Sequence, residues 1–164
     1  MTTIISGSSE FSIAGIPAEE YPDLPSIHGD NTVEIPQALL KSMIRQTIFA
    51  VAETDAKPIH TGTLFEFKNN LLKLISVDGY RLAIREEKIS NDPDISFVVP
   101  GKTLSEVLRL LKDDEKNLSL QIGSRHILFT IDRYTLISRL LEGEFLDYRS
   151  ALPKSHATEI VVKT

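Results

Sequence analysis

The sequence predicts an α+β domain over residues 33–141, in which one βαβββ unit is used twice and two helices pack on one side of antiparallel sheets. Two matched blocks, with the hydrophobic spacing between them, carry that expectation. "VEIPQALLKSMI" (Val33–Ile44) matches "FVVPGKTLSEVL" (Phe97–Leu108) at an offset of 64, placing Pro36 on Pro100, Leu40 on Leu104, Met43 on Val107 and Ile44 on Leu108. "LISVDGYRLAIR" (Leu74–Arg85) matches "LFTIDRYTLISR" (Leu128–Arg139) at an offset of 54, placing Asp78 on Asp132, Tyr80 on Tyr134, Leu82 on Leu136 and Arg85 on Arg139. The blocks keep their order, and self-similarity of this kind marks a repeated supersecondary unit. Helices with an apolar stripe and strands with an apolar face bury both by stacking as layers.

The elements follow in order. Met1–Ile35 holds six acids (Glu10, Glu19, Glu20, Asp23, Asp30, Glu34) and no Lys or Arg. Within it "ISGSSEFSIAG" reads as a strand or hairpin whose partner is elsewhere, and "GIPAEEYPDLP" as a Pro-rich acidic linker. Residues 1–32 are therefore expected to be the end of a preceding domain and its linker. A short strand then runs into Pro36, which suits the first turn of a helix because its missing N–H would bond nothing there. Leu40, Met43, Ile44, Ile48 and Val51, at spacings of three and four, predict a helix over Pro36–Ala52; Leu104, Val107, Leu108 and Leu111 predict its counterpart over Lys102–Lys112. Strands are expected over Thr63–Phe67, Leu71–Val77 and Tyr80–Ile84, and in the second copy over Leu118–Ile122, His126–Ile131 and Tyr134–Leu140. Asp78-Gly79 between two strand-like runs is the signal of a type I′ hairpin turn. Residues 142–164 read as a second linker followed by the start of a further strand.

A chain of 164 residues with 41% hydrophobic and 25% charged residues has the composition of a soluble globular domain. No apolar run approaches the ~18 residues of a membrane span, and the first residues lack the basic and apolar regions of a secretory signal. A cytoplasmic protein without membrane contact is expected. The absence of Cys removes disulfides and thiolate chemistry, and His28, His60, His126 and His156 show no metal-ligand spacing. There is no Gly-rich phosphate loop and no nucleophile elbow, so neither a cofactor nor catalysis is expected. The net charge of −5 is uneven, because the acidic leader accounts for it. The predicted helices carry Lys41, Arg45, Lys102, Arg109 and Lys112 against Glu106, and Lys41 and Arg45 repel each other at i, i+4. A positive face without interleaved aromatics attracts phosphates and reads no bases.

"MIRQTIFAVAETDAKPIHTGTLFEF", "VDGYRLAIRE" and "SRLLEGEFLDYRSALP", in this order, resemble the middle domain of the bacterial DNA polymerase III beta subunits, the ring-shaped sliding clamps. "ISGSSEFSIAGIPAEEYPDLP" resembles the end of that family's first domain with the following linker, and "KSHATEIVVKT" the beginning of its third. The resemblance implies the DNA-clamp (processivity) fold and a non-catalytic processivity factor. Two three-domain subunits would close head to tail as a homodimer ring around double-stranded DNA, with helices lining the channel. Lys41, Arg45, Lys102 and Arg109 would then be DNA-channel residues, Lys102 matching a position in a DNA-facing loop of the family.

The same resemblance answers why an aromatic and a cation follow the Asp-Gly pair. Val77, Gly79, Tyr80, Arg81 and Leu82 match positions of a pocket that takes short hydrophobic motifs of the DNA polymerase III alpha subunit and the clamp loader. His60 aligns with another, and Leu146, Ser150 and Ala151 with those in the linker after the domain. Three of these depart from the family: Leu146 stands where Pro is frequent, Ser150 where a larger residue or cation is frequent, and His60 where Leu is frequent. Ring contacts belong to the first and third domains, so this fragment is expected to be a monomer. Read from its residues alone, the chain also fits a stand-alone duplicated α/β interaction module that never meets DNA.

Overall fold

Each copy of the repeat gives its first strand to the other copy's sheet. The computed structural model describes residues 1–21, 27, 31–54, 57–90, 93–153, 155, 157–161 and 163. An N-terminal hairpin, β1 (Thr2–Ser6) and β2 (Ser9–Ile13), stands exposed on both faces. The first copy comprises β3 (Asn31–Pro36), α1 (Gln37–Arg45), β4 (Gly62–Lys68), β5 (Leu71–Val77) and β6 (Leu82–Lys88). The second comprises β7 (Ile95–Pro100), α2 (Gly101–Leu110), β8 (Asn117–Ile122), β9 (His126–Ile131) and β10 (Tyr134–Arg139), and a short helix, α3 (Tyr148–Ala151), follows. The first sheet has the order β6-β5-β4-β7 and the second β10-β9-β8-β3, all antiparallel. The two units are thus interlocked rather than laid side by side. Val33 and Ile35 pair with Leu120 and Leu118, while Phe97 and Val99 pair with Phe65 and Thr63.

Between the sheets and the helices lies one core. Leu40, Met43 and Ile44 enter it from α1, Leu104 and Val107 from α2, and Phe65, Phe67, Leu72, Leu74, Phe129 and Ile131 from the strands. The Phe97 ring stacks on Phe65 and Phe67, with centroids 5.5 and 5.9 Å apart. Burying each such side chain contributes about 1.5–3 kcal/mol. Both helices start after a proline in extended backbone (ψ 134° at Pro36, 137° at Pro100), so proline caps each helix from outside instead of sitting in its first turn. Helix α1 ends at Arg45, well short of Ala52. Thr47 is buried, its backbone leaves the helical region (φ −126°), and its hydroxyl donates to the Met43 carbonyl at 3.0 Å. A hydroxyl that competes for helix carbonyls favours an end there, and Ile48 and Val51 follow in and after a 3₁₀ turn, Ile48–Ala50. Lys112 likewise falls beyond α2.

The hairpins depart from the sequence expectation in register. Core-facing Phe65, Phe67, Leu72 and Leu74 correspond to Leu120, Ile122, Ile127 and Phe129, an offset of 55 and not 54. The sequence-matched pair Ile75 and Phe129 therefore face opposite ways, because a one-residue slip turns a strand over. The type I′ turn is at Asn69-Asn70, with φ of +55° and +59°, where β4 meets β5. At Asp78 the loop takes four residues: Val77 pairs with Leu82, and β6 begins there and not at Tyr80. Among the described residues, no helix is long and apolar enough to cross a membrane, and no group of three or more His, Asp or Glu could hold a metal ion. His28 and His156 lie outside the described residues, as do Asp23 and Asp30 of the acidic leader.

Candidate functional site

Strand alternation sends Leu64, Ile75, Val77, Leu82 and Val98 to the outer face of the first sheet, away from the core. Two segments cover that face. A 3₁₀ turn, Pro58–Thr61, lays Ile59 on it, and the chain leaving β10 lays down Leu141, Phe145 and Tyr148. The Val98 carbonyl accepts from the Leu141 amide at 2.9 Å, and Gly62 permits the crossing, since a Cβ there would meet Leu141 Cδ1 at 2.8 Å. Tyr148 is buried, its hydroxyl 3.3 Å from Glu66 Oε1, and Arg149 Nη2 reaches the same oxygen at 3.0 Å. Burial, and then the Glu66 charge, push the Tyr148 phenol above its usual pKa. Asp147 starts α3 by accepting from the Arg149 amide at 3.2 Å, and Ser150 Oγ donates to the Asp147 carbonyl at 2.7 Å.

One concavity lies beside this face, and a second lies at the end of the sheet, between the hairpin tip and the helices. The first, of about 540 Å³, lies between Lys57–His60 and Glu142–Asp147. The His60 and Phe145 rings meet edge to face there, with centroids 5.8 Å apart, and Leu146 is exposed beside them. The other, of about 900 Å³, is bordered by Phe49, Val51, Thr61, Asp78, Tyr80, Arg81, Gly101 and Lys102. Its hairpin is held by Asp78, whose Oδ1 accepts from the Tyr80 and Arg81 amides at 3.0 and 2.8 Å, while Oδ2 takes the Arg81 Nε at 2.9 Å. The Tyr80 amide first, then the Arg81 side chain, hold the Asp78 pKa down to about 2. Gly79 carries φ +86° with open space around it, Tyr80 is 98% exposed, and the Arg81 guanidinium lies 6.0 Å from the Phe49 ring centroid.

The residues singled out in the sequence are thus divided. His60 and Leu146 share the smaller concavity, and Tyr80 and Arg81 the larger. Val77 and Leu82 belong to the outer face that leads to the hairpin, and Ser150 and Ala151 are exposed on α3 and border neither concavity. Sequence reasoning missed Ile59, Phe145 and Tyr148, which close the face, and Phe49 beside Arg81. The signal was "EFLDY", an aromatic-apolar run in a stretch that reads as linker.

Helices α1 and α2 lie against one another, but their charge is largely compensated. Lys41 Nζ is 2.7 Å from Asp113 Oδ2 and its side chain only 12% exposed; Arg109 Nη1 holds both Glu106 oxygens at 2.8 and 3.0 Å; Lys112 Nζ is 2.7 Å from Asp132 Oδ2. The lysines hold the Asp113 and Asp132 carboxyls below their usual pKa. Arg45 and Lys102, both exposed, form no ion pair among the described residues. Counting charge on the helices alone overlooked acids that fold back onto them from the loops after α2 and β9.

Two interlocked four-stranded antiparallel sheets backed by two adjacent helices, built from a duplicated unit, define a DNA-clamp domain. Residues 34–147 match the family described as DNA polymerase III beta subunit, central domain, and the chain belongs to that family. It is 38% identical over 166 residues to the beta sliding clamp of Bacillus subtilis (strain 168), covering 100% of this chain and 44% of that protein. It is 32% identical over 164 residues to the beta sliding clamp of Staphylococcus aureus, covering 98% and 43%. Among solved structures, the Bacillus subtilis DNA polymerase sliding clamp superposes with a TM-score of 0.84 at 36% identity, over 93% of this chain and 41% of that one. The Thermotoga maritima DNA polymerase III beta subunit gives 0.79 at 30% identity, over 93% and 42%. The chain spans less than half the length of these relatives.

Proposed function

We propose that this chain is the middle part of a DNA sliding clamp, a non-catalytic processivity factor of the cytoplasm that closes as a homodimer ring around duplex DNA. In this reading residues 33–141 are the clamp middle domain, 1–32 close the domain before it, and 142–164 open the domain after it. The match to the family over residues 34–147, through both copies of the repeat and into the exit segment, is the observation that carries the reading. The helices turn cations and no aromatic toward the channel, with attraction supplied chiefly by Arg45 and Lys102, which form no ion pair among the described residues, although the Arg45 charge also acts on Asp113. Lys41 and Arg109 contribute less because each already holds an acid. Weak contacts of this kind suit sliding, since base-specific contacts of about 1–3 kcal/mol each would pin a ring at one sequence.

The concavity beside His60 and Leu146, with the covered edge of the first sheet and the Asp78–Leu82 hairpin, is one wall of a pocket for the short hydrophobic motifs of the polymerase alpha subunit and the clamp loader. The following domain supplies the other wall. The test is retention of the full-length protein on circular DNA. Replacing both Arg45 and Lys102 with Glu weakens retention and flattens its dependence on salt, each lost phosphate contact removing about 0.9 from the slope of log affinity against log salt. An unchanged slope would take both residues out of the channel.

A further inference from the structure

The concavity beside His60 has an apolar floor and an acidic rim. Pro58, Ile59, Phe145 and Leu146 form the floor, and Glu142, Glu144 and Asp147 stand around it, with Lys57 as the one cation on its border. The carboxylates are not equally available. Arg125 and Arg139 approach Glu142 at 3.9 and 3.6 Å, so its charge is already answered. Asp147 takes one backbone amide, that of Arg149, whose guanidinium is turned away to Glu66. Glu144 is exposed and has no partner among the described residues. Two carboxylates therefore face whatever covers Phe145 and Leu146 without a cation of their own. An apolar anchor alone would fill the floor and leave both carboxylates partly dehydrated beside it, whereas a cation next to the anchor would meet them.

We propose that this concavity selects, among partner segments carrying an apolar anchor, those in which the anchor is flanked by Lys or Arg. The inference rests on the pocket reading above and deepens it, by fixing the charge of the partner that this particular clamp prefers. Specificity of this kind comes from complementary rim charge more than from contact area.

The test uses two acetylated, amidated hexapeptides with the same Leu-Phe anchor, one flanked by Lys-Lys and the other by Glu-Glu, titrated into the chain at low salt and pH 7.5 with amide shifts as readout. The Lys peptide binds roughly three- to tenfold more tightly, the span of two exposed charge pairs. The preference shrinks at high salt, and Glu144→Lys, a change at an exposed position, abolishes or reverses it. Equal affinity for both peptides, or a Lys preference unchanged in Glu144→Lys, would overturn the charge selection while leaving the pocket in place. Shifts from both peptides confined to residues away from His60, Phe145 and Leu146 would overturn the pocket itself, and the selection with it.

Discussion

The outer faces of the two sheets are built from the same repeat and do opposite things. On the first sheet Leu64, Ile75, Val77, Leu82 and Val98 make an apolar surface, closed by Ile59, Leu141, Phe145 and Tyr148. On the second, the corresponding face is mostly polar, with Thr32, Glu34, Ser119, Gln121 and Thr130 around Leu128 and Ile137, and its residues are half-buried to exposed. The hairpins differ in the same sense. Asp132-Arg133 is a two-residue loop with Asp132 at φ +50°, and it keeps Tyr134 in the strand opposite Ile131. The Asp78–Arg81 loop is two residues longer, so the matching Tyr80 stands clear of the sheet. The same scaffold occurs twice, and a slip of register with a longer loop gives one copy an apolar outer face and a projecting tip.

The largest effects come from the sequence-matched pair that faces opposite ways. Phe129→Ala empties the main core and costs about 3–5 kcal/mol, whereas Ile75→Ala costs about 2–4 kcal/mol and also loosens the segment lying over it. Hydrogen exchange locates the difference: faster exchange over residues 145–148 is expected in Ile75→Ala beyond its global loss, and protection there equal in the two variants would mean that the outer face does not hold the exit segment. A smaller effect is expected at the hairpin. Gly79→Ala forces a side chain into the left-handed region and costs about 1–2 kcal/mol, although no neighbouring atom lies within 4 Å of the new Cβ. A neutral result in denaturant unfolding would mean that the tip relaxes freely.

The smallest effect is the pH response of the same turn. The folded-state pKa of Asp78, about 2, lies below its ordinary 3.8, so the stability it gives the tip is complete above the ordinary value and is lost as pH falls through the folded one. Amide shifts of Tyr80 and Arg81 are expected to titrate with a midpoint near 2 and to lose that step in Asp78→Asn. A midpoint at the ordinary carboxylate value would contradict the hydrogen-bonded turn.

Much of this was legible in the chain because it depends on local periodicity. The duplicated blocks gave both helices and all eight strands of the domain, since apolar spacing and proline boundaries act within a few residues. The exchange of β3 and β7 between units was not legible, because pairings such as Pro36 with Asn117 and Gly62 with Pro100 join residues far apart in the chain and leave no local mark. Register at Ile75 and Phe129 was misjudged for a related reason: Asp78/Asp132 and Tyr80/Tyr134 align well as letters, while burial follows the pleat. The site was legible in part. Tyr80 and Arg81 stood out by their place after a turn, but Phe145 and Tyr148 were hidden in a stretch whose Gly, acids and Pro resemble a linker. Lys41 looked like a free cation because Asp113, 72 residues later, is its partner.

The central claim is that the concavity beside His60, Phe145 and Leu146, together with the Asp78–Leu82 hairpin, receives a partner's hydrophobic segment. Titration of the chain with an acetylated Leu-Phe peptide, followed residue by residue in amide shifts, tests it most directly. The account predicts weak binding, with shifts gathered at His60, Gly79–Leu82, Phe145 and Leu146, and their loss in Leu82→Ala without loss of the fold. Shifts confined to α1 and α2, or to Thr32, Ser119 and Thr130 on the second sheet, would contradict it.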